Sequence, residues 1–282
     1  MRERQLAQVR ARLDRFLRDQ NPTTVVDPEA VAEVQALVAM VPDPTTDLEV
    51  ALAAGQLHWA RCLVLGADDG QQDLEAALAW FASVYQSYPD VVPDRVRAYF
   101  DRDRSALPEA WADHAVTLLG VVMRTDDRAA LNTAIGFLRQ AVEATPADHP
   151  DRAGRLSNLG NALSIWFERT GERADLDEAI AAGRAAVEAT PTDHPDRAGR
   201  LSNLGNALGS RFERTGERAD LDEAIAAGRA AVEATPVDHP NRAMYLSNLG
   251  NALRTRFERT GERADLNDAI AAGQAAVEAT PT

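Results

Sequence analysis

His58 and Cys62 stand four residues apart. On a helix that spacing puts both on one face, and a thiol beside an imidazole is the dyad of a cysteine peptidase. Such dyads are usually assembled from separate segments. Here Leu57, Trp59 and Leu63 surround the pair, so core packing is the favoured reading. A second set, His149, His194 and His239, recurs every 45 residues in Asp-His-Pro turns. Three imidazoles suggest a metal, but one per repeat spaces them by about 20 Å, two helix widths, too far to share an ion. Their expected job is to close the turn and cap a helix. Asparagines recur at the same period. Asn158, Asn203 and Asn248 form one ladder, and Asn161, Asn206 and Asn251 another. An amide side chain donates and accepts, so it can pair with any peptide group. Asparagine is a poor residue for a helix interior, yet every copy keeps it.

The rest of the chemistry is missing. No GxSxG, HExxH, GxGxxG or Walker pattern occurs. Every basic residue other than histidine is arginine. That removes Schiff-base, P-loop and kinase-type lysines. The single cysteine, Cys62, rules out an intrachain disulfide and a thiolate zinc cluster. The expectation is a protein of recognition, not an enzyme, with no cofactor and no metal.

Charge and composition narrow the partners. The 282 residues carry a net charge of −14, which argues against nucleic acid and anionic membranes. The arginines of residues 2–20 read as the solvated face of a terminal helix. No apolar run approaches a membrane span. The N-terminus Met-Arg-Glu-Arg-Gln lacks a signal-peptide core, so a cytoplasmic location is expected. Hydrophobic residues make up 45% but aromatics only 5%. Alanine carries the apolar share, which favours closely packed helices.

These side chains are positioned by a repeated unit. Arg155-Leu-Ser-Asn-Leu-Gly-Asn-Ala-Leu163, then Phe167 to Leu176, then Ala186 to Pro191, return at Arg200–Pro236 and Tyr245–Pro281. Pro146, Pro191, Pro236 and Pro281 are each 45 apart, as are Gly160, Gly205 and Gly250. A fixed period of this size means a solenoid whose units bury their apolar faces on one another. Leu156, Leu159, Gly160, Leu163 and Phe167 form a helical stripe. Leu176, Ala179, Ile180, Gly183, Ala186 and Val187 form a second. Gly171 separates the two helices and Thr190-Pro191 ends the pair. Glu168-Arg169 and Glu172-Arg173 read as surface or inter-repeat ion pairs. Gly183, Gly228 and Gly273 lie inside helices, where glycine costs about 0.5–1 kcal/mol. The expectation is that Gly183 makes room for an aromatic ring, Phe167 or Phe212.

Upstream, helices are expected over residues 2–20 and from Asp27-Pro28 to about Met40. A diverged copy is expected over 46–89, with a turn at Gly66–Gly70. An insertion around Val96–Phe100 follows, and then a pair at Trp111–Met123 and Arg128–Thr145. The predicted organisation is an N-terminal helical segment 1–45, a diverged helix pair with its insertion helix 46–107, and an array 108–282. The array divides at about 108–146, 147–191, 192–236 and 237–282. The predicted fold is all-α, a right-handed α-solenoid of antiparallel helix pairs.

Leu156, Leu159-Gly160 and Leu163 on the first helix, with Ala179, Ala186 and Pro191 on the second, resemble the tetratricopeptide repeat. The aromatic position of that motif holds Gly183 here, whereas Phe81 restores it in the diverged copy. The 45-residue period exceeds the usual repeat of about 34 and resembles the long repeats of kinesin-light-chain-type arrays. The wording Leu-Ser-Asn-Leu-Gly-Asn-Ala-Leu is similar to actinobacterial arrays linked to CHAT caspase-like or other signalling domains. The resemblance implies that the first helices line a concave groove in which asparagines hold the main chain of a bound peptide. On that basis Asn158, Asn161, Asn203, Asn206, Asn248, Asn251 and Arg254 are the candidate peptide- or protein-binding residues. The competing reading is that Asn161 bonds neighbouring helices and sets the superhelix. Beside the ladders the copies differ, with Ser164, Gly209 and Arg254 in one column and Arg155, Arg200 and Tyr245 in another. Partner specificity or drift would account for either.

Three functions follow. The first is a non-catalytic scaffold for a peptide or protein. The second is the sensor arm of a larger CHAT-type peptidase or signalling protein. The third is a self-assembly module stacking as a homo-oligomer through the uncapped final helix, Ala264–Thr280. The repeat boundary at Thr282 leads to the expectation that the array continues in a longer chain or is covered by a partner.

Overall fold

The computed structural model describes residues 1–280. Pro281, last of the periodic prolines, and Thr282, where continuation of the array was expected, lie outside the described residues. Among the described residues there is no strand. The chain divides into two compact units, Met1–Ala147 and Asp148–Thr282.

The second unit holds α9 (Arg152–Thr170), α10 (Arg173–Glu188), α11 (Arg197–Thr215), α12 (Arg218–Glu233), α13 (Arg242–Thr260) and α14 (Arg263–Glu278). They form three antiparallel hairpins, each also packed on the next, in the manner of an α-solenoid. Each first helix ends at a glycine in the left-handed region, Gly171 at φ 74°, Gly216 at 71° and Gly261 at 73°. There a β-carbon would be strained, and the Gly171 N–H closes the last turn on Phe167 O at 2.7 Å. Between hairpins the histidines close the turns as expected. His149, His194 and His239 each accept at Nδ1 from the backbone N–H two residues on, at 3.1–3.2 Å. Arginine then secures the joint. Arg197 donates to Val187 O at 3.0 Å and Arg242 to Val232 O at 2.9 Å, which satisfies carbonyls that a helix C-terminus leaves open.

The stripes predicted from periodicity are the buried faces. Phe167, Leu176 and Ile180 of one hairpin pack with Leu204, Ala207 and Leu208 of the next. Phe212, Leu221 and Ile225 repeat the arrangement with Leu249 and Leu253. Each such large side chain stabilises the stack by about 1.5–3 kcal/mol on burial. Two glycine columns set the spacing. Gly160 lets the α10 backbone approach, with Ala179 O only 3.0 Å from where a β-carbon would stand. Gly183 faces the next hairpin, and the side chain over it is Leu204, not Phe167 or Phe212 as expected from sequence. The aromatic rings instead serve the hairpin ends. Arg214 lies 5.4 Å over the Phe167 ring and Arg259 5.6 Å over that of Phe212, where ion pairs were expected of this arginine column. The next arginine column does pair. Arg218 reaches Asp222 at 3.6 Å on its own helix and Glu262 of the following repeat at 3.8 Å.

The first unit holds α1 (Arg2–Asp19), α2 (Thr23–Val26), α3 (Pro28–Val38), α4 (Leu48–Asp69), α5 (Gln71–Tyr85), α6 (Asp94–Arg102), α7 (Ala106–Thr125) and α8 (Arg128–Ala144). Helices α4 and α5 pair, as do α7 and α8. The turn expected at Gly66–Gly70 is mostly helical, but α4 breaks at Gly66, φ 80°. Helix α7 begins before the expected Trp111, and Pro108 falls in its first turn, a position that needs no N–H partner. Phe81 packs on Gly55, its Cδ1 2.9 Å from a β-carbon position there. The arginine face of α1 is only partly solvated. Arg12 donates to Glu33 at 2.8 and 2.6 Å, and Arg2 to Asp47 at 2.9 and 2.7 Å. Among the described residues no helix is long and apolar enough to cross a membrane.

Candidate functional site

Helices α9, α11 and α13 bury their leucine stripe and leave the asparagine columns on another face. Asn161, Asn206 and Asn251 are exposed in all three copies. Asn203 is exposed, while Asn158 and Asn248 are half-buried. Of the six amides, only that of Asn248 is engaged, donating to Ser202 Oγ at 3.1 Å. The other five side chains make no hydrogen bond among the described residues. Helix α9 contacts α11, and α11 contacts α13. The three helices that carry the columns are therefore neighbours in this unit.

Among these helices lies a polar depression of about 320 Å³, lined by Ser157, Asn158, Asn203, Asn241 and Tyr245. Its base is fixed by buried groups. Arg200 donates to Thr190 Oγ1 at 2.5 Å and to Asp196 at 3.4 Å. His239 stacks on Tyr245 at 6.5 Å between ring centroids. The column Arg155, Arg200 and Tyr245 is thus buried and serves packing between repeats. Variation there changes the floor of the depression and not a free contact. In the other column, Ser164 donates to Gly160 O at 2.9 Å, Gly209 opens onto free space, and Arg254 is exposed in a 2.5 Å pair with Glu258.

One set of side chains that joins the repeats is not recognisable from the sequence. Arg211 grips Asp220 with two hydrogen bonds of 2.9 and 2.6 Å and reaches Asp177 of the preceding repeat at 3.0 Å. Arg256 does the same with Asp265 and Asp222. Bonding to Arg256 holds the Asp265 carboxyl below the usual range. The signal was present as a 45-residue recurrence, with Trp166 replacing arginine in the first copy. Its meaning required the fold, because the partners lie 9 and 34 residues away.

The His58–Cys62 pair is not an activated dyad. His58 Nδ1 lies 2.6 Å from Asp73 Oδ1, and Arg61 Nε donates to the same carboxylate at 2.9 Å. Burial and the Asp73 charge push the Cys62 thiol up, away from the nucleophilic thiolate.

Residues 197–241, one full period, match the tetratricopeptide repeat family. No match to a curated protein was found. The match to one repeat and the stacked hairpins of constant period together support a tetratricopeptide-type repeat protein.

Proposed function

We propose that this chain is a non-catalytic scaffold that binds a peptide or protein segment along α9, α11 and α13. Asn158, Asn161, Asn203, Asn206, Asn248 and Asn251 would contact the main chain, and Arg254 would contribute charge at one end. The observation that supports the reading is the five amides, all but that of Asn248, that make no hydrogen bond among the described residues. An amide in water gains little from a new hydrogen bond, about 0.5–1.5 kcal/mol each, so affinity would come from several acting together. The test is selection from a randomised peptide display library against the whole chain. Enriched peptides should bind at least tenfold more weakly when Asn158, Asn203 and Asn206 are changed to alanine, with the helical circular dichroism unchanged. Peptides indifferent to those changes would remove the groove from consideration.

A second reading, self-assembly through α14, draws on a different observation. Ile270 is 52% and Val277 76% exposed, on the helix that follows two others whose matching faces are covered. Concentration-dependent mass that disappears in Ile270→Asp would support it. A constant monomer mass across concentration would reject it.

A further inference from the structure

Five helices of the first unit, α3, α4, α5, α7 and α8, converge on a cavity of about 140 Å³. Its walls are apolar, from Val34, Val38, Trp80, Leu118 and Val121, and two imidazoles, His58 and His114, line it. A space near 150 Å³ with apolar walls accommodates one six-membered ring.

The hydrogen-bond bookkeeping of the two imidazoles decides what that ring must carry. His58 Nδ1 is 2.6 Å from the Asp73 carboxylate, which can only accept, so the proton sits on Nδ1. Nε2 is then the ring nitrogen left to accept a hydrogen bond whenever it carries no proton. His114 is 8% exposed, and its Nδ1 faces Glu75 Oε1 at 3.6 Å, both atoms buried without a hydrogen bond. A carboxylate on that side again draws the proton to Nδ1, and Nε2 is left as an acceptor. Thr133 has spent its hydroxyl proton on Ala129 O at 2.9 Å. Asp127 caps α8 by accepting from Ala129 and Ala130. Of the polar groups lining the cavity, Gln35 is exposed and its amide can donate or accept, whereas the imidazoles, Thr133 and Asp127 offer lone pairs. A neutral donor suits it better than an ammonium ion, whose desolvation among apolar walls costs more.

We propose that this cavity is a binding site for a small apolar molecule of about one ring that carries a hydroxyl donor, recognised by His58 and His114. Phenol is the probe, and toluene, of nearly the same shape without the donor, is its control. Spectra of the whole chain with labelled histidine report the site, because His149, His194 and His239 serve as internal references. Phenol should shift the His58 and His114 ring signals saturably and leave the other three in place. Toluene should bind about three- to tenfold more weakly, the worth of one neutral hydrogen bond. His114→Phe should bring phenol down to the toluene level. Ala130→Leu, which fills the cavity from α8, should abolish binding of both with the fold retained. Absence of a saturable shift, equal affinity for phenol and toluene, or binding that survives Ala130→Leu would each overturn the assignment.

Discussion

Leu204 closes over Gly183, its Cδ1 3.3 Å from the point a β-carbon on residue 183 would occupy. Leu249 stands over Gly228 in the same way at 3.2 Å. At the third copy no side chain or neighbouring helix of the described residues comes within 4 Å of the point a β-carbon on Gly273 would occupy. The same residue at the same repeat position therefore has two different energetic roles. At Gly273 it carries only the helix penalty, and Gly273→Ala should stabilise the chain by about 0.5–1 kcal/mol. At Gly183 any gain in helix propensity is offset by crowding against Leu204, and Gly183→Leu should destabilise by about 1–3 kcal/mol. Urea unfolding midpoints decide the matter. Equal responses to alanine at 183 and 273 would show that the leucine contact does not constrain the interface.

The arginine clamps predict a contrast between two residues of one type. Arg211 holds Asp220, whose side chain is 5% exposed. Arg211→Ala would leave that carboxylate buried and unpaired. The loss should be about 2–3 kcal/mol, below the 3–5 of a fully buried pair because the guanidinium retains some solvent contact. Arg254→Ala removes an exposed pair one helical turn apart and should change stability by less than about 0.5 kcal/mol. Comparable effects of the two substitutions in chemical denaturation would contradict this assignment.

Burial pushes the His114 imidazole below its ordinary pKa, against the opposing pull of Glu75. The unfolded chain takes up a proton there near pH 6.5, whereas the folded chain does so only at lower pH. Stability should therefore begin to fall below about pH 6.5, by at most about 1.4 kcal/mol per pH unit for this group. Burial would raise the Asp73 carboxyl, but bonds from His58 and Arg61 outweigh it and hold it below its usual range. The facing His114 lowers Glu75. Those two carboxylates lose their contribution at still lower pH, below about 4. His114→Phe should abolish the first decline and leave the second. A decline between pH 6.5 and 5 that is unchanged in this variant would place its source elsewhere.

Phe81 and Gly55 form a tighter version of the glycine contact, at 2.9 Å from a β-carbon position. Gly55→Ala should cost about 1–3 kcal/mol by forcing the ring off its position. Combining it with Phe81→Leu should cost less than the sum of the two single changes. Strict additivity of the melting data would mean that the two residues do not bear on each other.

The candidate face was legible in the sequence as far as period allows. Asn158, Asn203 and Asn248 announce one column because their spacing is constant, and the leucine stripe places them off the core. Which amide is free is a different question. Asn248 is tied to Ser202, while Asn203 in the copy before is not. That difference arises from small offsets between stacked helices, which no single helix encodes. The burial of the column Arg155, Arg200 and Tyr245 was not legible for the same reason. Long side chains of variable type suggest a surface, yet Arg200 turns inward to Thr190 across the repeat joint.

By itself the sequence determined the helices, their length, their buried stripes and the stops at Gly171, Gly216 and Gly261. These are local consequences of a 3.6-residue turn and of which residues tolerate a left-handed backbone. Tertiary structure alone decided that leucine, not phenylalanine, meets Gly183. It also decided that Arg211 spans two repeats, and that His58 and His114 line one cavity. Each of these depends on how helices distant in the chain are set against one another. The summed packing of whole faces determines that register, and the residue types at any one position do not.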